Sequence, residues 1–454
     1  MGFQLSPGVN VSEVDLTTVV PSVLTTAGAF AGTFKWGPAN VIKSIDSEIT
    51  LVNTFGKPDD ASAVSFFTAA NFLAYGNNLN VVRVVGNLSN NSTSGADTIQ
   101  VENEEEFQVT YLGQNNSNTY GPFIARYVGD YGDNLKVSVC ASSATFSSWT
   151  YNSYFTSAPG TSDYVSAAGG SNDEMHIIVV DRTGAITGTA NTVLEKFGFV
   201  SAAVDASING ESNYYKQVVF DKSKYIYAMD PVDYSTTSAT WGTSSVNKTF
   251  ANPGSNMTYN LSGGSNNLPT SANINSGWTL FTNKETVDIS LAITGGASIA
   301  TQQYVIDNVA ESRQDCVAFV SPPSANVVSQ AGSESTNITN WLTALSRSSS
   351  YAVADSGWKY QFDKYNNVYR YIPLNSDIAG LCVRTDNQRD PWFSPAGYTR
   401  GAIKNCIKLA WNPNKANRDT LYARGVNPVV SFPGQGTILY GDKTLLSKPS
   451  AFDR

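Results

Sequence analysis

YAVADSGWKYQFDKYNNVYRYIPLNSDIAGLCVRTDNQRDPWFSPAGYTRGAIKNCIKLAW, residues 351–411, is the stretch around which the rest of the chain is organised. It opens with alternating Tyr, Val, Trp and Phe, the pattern of a half-buried strand or hairpin. SDIAGLCVRTDN (376–387) reads as an apolar turn. SPAGYTRG (394–401) reads as Pro/Gly punctuation, with Pro395 and Gly397 setting a fixed turn. A helical segment is expected next, with Ile403, Ile407 and Leu409 apolar and Lys404 and Lys408 polar. Arg400, just after the turn, either braces it from outside or contacts another chain.

The pairing of D-I-A-G-L-x-x-R-T-D with S-P-A-G-Y-x-R-G resembles the contractile tail sheath proteins of myovirus-type bacteriophages, and T4-like sheaths most of all. The resemblance extends, in order, through SPGVNVSEVD (6–15), FAGTFKWGPAN (30–40), LVNTFGKP (51–58) and NFLAYGNNLNVVRVV (71–85). It resumes at KETVDI (284–289), RQDCVAFVSPP (313–323) and YGDKT (440–444). It therefore covers most of 1–87 and 281–454, and its motif residues here are Asp377, Gly380, Arg384, Pro395, Gly397 and Arg400.

What the resemblance implies is a structural subunit and not an enzyme. Such a subunit stacks as six-fold rings around a tail tube, ties its neighbours with extended arms, and contracts to drive the tube through the host envelope. The implied partners are further copies of itself, the tail tube protein, and baseplate and tail terminator proteins. The implied place is the virion tail, assembled in the host bacterial cytoplasm. The family pattern also continues past YGDKT into a part that completes the tube-facing domain, and residues up to 454 do not include it.

The totals agree with a multi-domain structural protein. A length of 454 residues leaves room for about three domains. Charged residues make up only 15%, below the roughly 25% of ordinary soluble domains. Ser, Thr, Asn and Gly fill the deficit, which suits a surface buried against other copies and equally an ordinary β-rich protein. The net charge of −8 argues against nucleic acid and anionic membranes, since both call for clustered Lys and Arg. No apolar run approaches the ~18 residues of a membrane span, and the N-terminus lacks a signal-peptide pattern. Cys140, Cys316, Cys382 and Cys406 are widely spaced and lie mostly in apolar runs, as buried free thiols would.

Along the chain, residues 1–20 read as an arm. Val9, Val11 and Val14 give a short strand-like alternation bounded by Pro7-Gly8 and Pro21. This segment is either a first strand of its own domain or a strand added to a neighbouring subunit, and the resemblance favours the second. Residues 27–56 predict a strand, a turn, a short strand and a helical piece. Residues 65–76 predict a helix, and LNVVRVV (79–85) a strand covered on both faces. From 88 to 280 the composition turns to Ser, Thr, Asn, Gly and Tyr. Strand-like runs there are LKVSV (135–139), HIIVV (176–180), YKQVVF (215–220) and KYIYAM (224–229). The tracts 141–172 and 233–277 read as long surface loops. From 281, strands at VDISLAI and CVAFV alternate with helices near 302–310 and through Ile338, Trp341, Leu342 and Leu345. The expected fold is α/β plus β-rich: a discontinuous α/β core (21–87 and 281–454) of strands with flanking helices, interrupted by an inserted mostly-β outer domain (88–280), with an extended N-terminal arm (1–20).

No catalytic, cofactor or metal site emerges. Gly295-Gly296 after a strand lacks either phosphate-binding glycine motif. The one histidine, His176, sits in a strand run without a nucleophile elbow. Glu102, Glu104, Glu105 and Glu106 form a solvated charge run, and Asp130 and Asp133 flank a glycine turn without EF-hand spacing. The aromatic series from Trp358 to Tyr371 reads as core and subunit contact. Lys404, Lys408, Arg418 and Arg424 form a basic patch, read either as helical and facing the tube or another acidic partner, or as ordinary solvated charge. Two rivals stay open. One is another virion or surface-lattice protein. The other is a carbohydrate-active enzyme, which needs an acid pair about 5–10 Å apart.

Overall fold

The computed structural model describes residues 26–114 and 118–447. The expected arm with Val9, Val11 and Val14 lies outside them. The described chain is mixed α/β with several sheets.

The first segment supplies strand β1 (Gly28–Gly32), β2 (Ile42–Ile45), helix α1 (Glu48–Phe55), α2 (Ala63–Leu73) and β3 (Leu79–Arg83). Helix α1 starts where the Ser47 side chain accepts from the Thr50 amide, a standard N-cap. The middle of the chain adds α3 (Glu104–Thr110), β4 (Phe123–Ala125), β5 (Leu135–Cys140), β6 (Glu174–Asp181) and β7 (Thr192–Ser201). These are followed by α4 (Tyr215–Lys222), β8 (Ile226–Ala228), β9 (Met257–Asn260) and α5 (Ser271–Thr279). The last third contributes β10 (Leu291–Ile293), α6 (Ile299–Tyr304) running into a π-helical turn (Val305–Ala310), β11 (Val317–Val320), α7 (Glu334–Leu345) and β12 (Ala352–Asp355). After these come β13 (Trp358–Asp363), β14 (Val368–Pro373), α8 (Asn375–Gln388), β15 (Lys408–Leu409), α9 (Lys415–Ala423), β16 (Val426–Asn427), β17 (Val429–Phe432) and β18 (Gly436–Leu439).

A seven-stranded sheet runs β16-β12-β11-β10-β1-β3-β2. All its pairings are parallel except the edge pair β2–β3. Pleat alternation divides its side chains between two faces. Phe30, Val81, Leu291, Ile293 and Phe319 pack with α2 and α8. The opposite face is mostly alanine: Ala29, Ala31, Ala292, Ala318, Ala352 and Ala354 meet the bulky Trp278, Phe281 and Trp341 of the second helical layer. Small side chains opposite large ones keep both layers at core density.

A separate four-stranded antiparallel sheet, β9-β5-β6-β7, has its own core with α4. Two residues of the first segment tie it to the large sheet. Trp36 packs on Tyr127 and Tyr131. The buried Arg83 guanidinium donates to the carbonyls of Phe34, Gly37 and Val128, and burial pushes its pKa down to about 10.

Four local expectations fail. YKQVVF is not a strand but the first six residues of α4, because Tyr215, Val218 and Val219 fall on one helical stripe buried against the small sheet. Residues 376–387 are not a turn; they form most of α8. The expected helix after residue 401 is extended chain. Ile407 N donates to Tyr360 O and Ala410 N to Trp358 O, so this segment pairs with β13. The tracts 141–172 and 233–277 are not plain loops, since they carry short helices at Ser143–Phe146, Asp163–Ala167 and Tyr234–Thr237, and the strand β9.

Candidate functional site

In open α/β sheets, ligands settle outside the carboxyl ends of the strands, where the strand order switches direction. Here that point lies between β1 and β10, and the molecule's own side chains close it. A Cβ on Gly32 would stand 2.9 Å from Ser65 Oγ, and one on Gly296 would stand 3.0 Å from Val64 and 3.3 Å from Trp358. Helix α2 and the Trp358 indole therefore seal the crevice, and the Gly295-Gly296 turn is where they approach. Along the same edge, Asn375 Nδ2 donates to Gly295 O at 2.8 Å. Its backbone N–H donates to Ser321 Oγ, which donates to Asp355 at 2.6 Å. Burial raises the Asp355 carboxyl to about 8. These polar groups face one another within the protein.

The other candidate groups are similarly engaged. His176 Nε2–H donates to Ser157 O, and Nδ1 accepts the Phe199 amide. The second bond fixes the neutral tautomer, with Nε2–H as the donor. Glu104, Glu105 and Glu106 fill the first turn of α3, where carboxylates complement the helix N-terminus. Asp130 accepts from Asn266, and Asp133 from the Gly264 amide. Among the described residues, no group of three His, Cys, Asp or Glu side chains is placed to hold a metal ion. No described helix is long and apolar enough to cross a membrane.

The motif residues of α8 and the following loop converge on Tyr75, at the end of α2. Asp377 Oδ1 accepts from Lys359 Nζ at 2.9 Å and from Tyr75 OH at 3.1 Å, with the Lys359 and Asp377 side chains 0% and 1% exposed. Burial raises the Asp377 carboxyl above the usual carboxylate range, against the pull of the Lys359 ammonium. Lys359 Nζ also donates to Lys404 O, and the Lys404 amide donates to Tyr75 OH at 2.6 Å. Arg384 and Lys404 both lie over the Tyr75 ring. Gly380 is glycine because a Cβ there would stand 2.5 Å from Tyr75 Cδ2.

Arg384 also donates to the carbonyls of Arg400 and Ala402. Arg400 Nε reaches back to Ser394 O at 2.6 Å and its guanidinium covers the Phe393 ring. Gly397 takes φ +93°, a conformation glycine adopts without penalty, and its amide donates to Leu439 O. Pro395 lies in the same turn. So Asp377, Gly380, Arg384, Pro395, Gly397 and Arg400 form one brace that ties α8 to the 394–404 loop.

The four basic residues do not share one helix. Lys404 sits at Tyr75, Lys408 covers the Tyr360 ring, and Arg418, on α9, covers the Phe432 ring. Arg424 caps the C-terminus of α9.

The sequence hid a further feature. Strand β13 turns its polar side chains inward and, beyond the buried Trp358, its aromatic ones towards the surface. Lys359, Gln361 and Asp363 point inward, to Asp377, Asn71 and Arg370 respectively. Tyr360 and Phe362 point outward and join Tyr369 and Tyr371 of β14 in a ladder with centroids 4.7–5.4 Å apart. Phe362 and Tyr369 are 44% and 53% exposed. A second aromatic group, Tyr398, Phe432 and Tyr440, lies near the motif loop, whose Trp392 is 78% exposed.

Outward-facing aromatic side chains such as Phe362, Tyr369 and Trp392 suit the class of proteins that make contact with other chains. The comparisons place it more narrowly. Residues 25–84 match the tail sheath protein Gp18 domain III N-terminal region, and residues 269–445 match the phage tail sheath protein central domain. The tail sheath protein of Enterobacteria phage T4 is 31% identical over 581 residues, covering 99% of this chain and 83% of that protein. The tail sheath protein of Vibrio phage KVP40 is 30% identical, covering 99% and 84%. Among solved structures, a sheath tail protein from Listeria innocua shares the fold, with a TM-score of 0.53 at 10% identity, covering 94% of this chain and 70% of that one. The chain belongs to the phage tail sheath family. It is a structural component of a phage tail and not an enzyme, which sets aside the carbohydrate-active reading.

Proposed function

We propose that this chain is a subunit of a contractile sheath, polymerising as stacked six-fold rings around a tail tube and shortening to drive the tube through the host envelope. The observation that carries the reading is the inverted hairpin. Burying Lys359, Gln361 and Asp363 while exposing Phe362 and Tyr369 is unfavourable for an isolated subunit. It becomes favourable once a second copy covers the aromatic ladder, because aromatic side chains dominate contact energetics. A repeated head-to-tail contact of this kind builds an open helix. The two cores, joined through buried Arg83 and Trp36, let each subunit move as a rigid body.

Residues 21–87 with 281–454 act in this reading as the core domain, 88–280 as the outer domain, and 1–20 as an arm, carrying Val9, Val11 and Val14, that joins neighbouring copies. Residues 384–424 hold eight Lys and Arg against three Asp and Glu in a chain of net charge −8. That local excess suits an acidic partner such as the tube, with Lys404, Lys408, Arg418 and Arg424 contributing. Baseplate and tail terminator proteins would bind the two ends, and assembly would take place in the host cytoplasm.

Electron microscopy of the purified protein tests the reading. Striated tubes are expected from the full chain. Deleting residues 1–20, or replacing Phe362 and Tyr369 with Lys, should leave a folded subunit that forms no tubes. Tubes from the deletion would refute the arm, tubes from the double variant would refute the aromatic contact, and flat lattices from the full chain would refute the sheath geometry.

A further inference from the structure

We infer that the root of the N-terminal segment, centred on Val23 and Leu24, docks in its own subunit, in an apolar groove at the amino ends of the parallel strands. The groove has a volume of about 490 Å³. Leu291, Val317 and Phe319 of the sheet line it together with Ile378 of α8 and with Pro391 and Phe393. It lies at the opposite end of the sheet from the sealed crevice, so it is not the ligand position of an α/β fold.

Both chain directions are readable at its mouth. Thr26 lines the groove and its hydroxyl donates to Asp386 on α8. One residue later the chain is in the sheet, where Ala27 O accepts from the amides of Ser290 and Leu291. Thr26 therefore brings the chain to the groove. An extended residue spans about 3.3–3.6 Å, so Leu24 and Val23 begin within ~11 Å of Thr26. Both are apolar, and Val19 and Val20 precede them. The C-terminal side is a poorer occupant. Thr444 touches the groove, but Leu445 N already donates to Ala352 O and Ser447 N to Ser348 Oγ, which carries the chain away. The groove is open and apolar, and burying aliphatic side chains in it removes that surface from water.

This goes beyond the sheath reading, because it concerns one subunit and holds whether or not the distal arm bridges copies. Its consequence for a sheath is that pulling on an arm loads α8 and the strand ends directly.

Cys382 lines the groove and is half-buried, which provides a native reporter. The test is the labelling rate of each cysteine by methyl methanethiosulfonate, read by mass spectrometry on dilute, unassembled full-length protein. In Val23→Ser/Leu24→Ser, Cys382 should label at least tenfold faster than in the wild type. Cys406, also half-buried but on a different groove, should not change. Cys140 and Cys316 are buried and report that the fold is intact. An unchanged Cys382 rate in the folded variant overturns the inference, including the case in which the C-terminal segment fills the groove. Protection that fades on dilution also overturns it, because the occupant is then another copy. Should the serine pair unfold, Leu24→Cys is oxidised instead: an intrachain disulfide to Cys382 is expected, and an interchain disulfide or none refutes the assignment.

Discussion

Replacing Lys359 with Met tests the brace on which the motif region depends. The Lys359–Asp377 contact is 2.9 Å long and fully enclosed. At an effective dielectric of ~20 this attraction is on the order of 6 kcal/mol before desolvation is counted. Removing one partner leaves a buried carboxylate without its cation, at a net cost of about 3–5 kcal/mol. Lys404 O loses its donor in the same step. Urea unfolding of the unassembled subunit, followed by tryptophan fluorescence, should show a lower midpoint at unchanged slope.

The pH dependence has a definite sign. Without Lys359, only burial and Tyr75 act on Asp377, so its folded pKa rises further above the unfolded value of about 3.9. A carboxyl raised in the folded state contributes stability that is complete below the unfolded pKa and lost as pH rises through the folded one. The variant should therefore regain stability on acidification from pH 7 towards 5. Lys359→Met/Asp377→Leu, which removes both charges, should recover most of the loss. A single variant within 1 kcal/mol of wild type, or a double variant no better than the single, would refute the reasoning.

Gly380→Ala should destabilise by about 1–3 kcal/mol in a thermal melt, because the new methyl strikes the Tyr75 ring and outweighs the ~1 kcal/mol helix preference of Ala. Asp355, raised to about 8 in the folded state, contributes stability that is present below about pH 4 and lost as pH rises through about 8. Asp355→Asn should flatten that decline of the unfolding midpoint between about pH 4 and 8. Burial lowers the His176 pKa, so the wild type should lose stability as pH falls below the unfolded value of about 6.5, when protonation breaks the Phe199 N–H contact. His176→Phe should be less stable at pH 7 and insensitive between pH 7 and 5.5, as read by hydrogen exchange in β6 and β7.

Residue order alone determined the continuous or alternating apolar runs. It marked β1, β3 and β11 as buried strands and placed Ile338, Trp341 and Leu345 on one face of α7, because side-chain periodicity is a local property. Motif spelling carried the family. Only the tertiary structure decided the state of 376–387, where Asn, Ser, Asp and Gly look like turn residues. They become helical because Asp377 finds Lys359, and Gly380 is needed where α8 meets Tyr75. The extended course of 402–410 depends likewise on the edge of β13, where Tyr360 and Trp358 carbonyls await donors. The inversion of β13 was equally invisible: its alternation was plain, but which face turns inward depends on Asn71, Asp377 and Arg370. All three sit on other elements, and Asn71 is 290 positions away from Gln361. A period shows that two faces differ; only the partner packed against one of them shows which is inside.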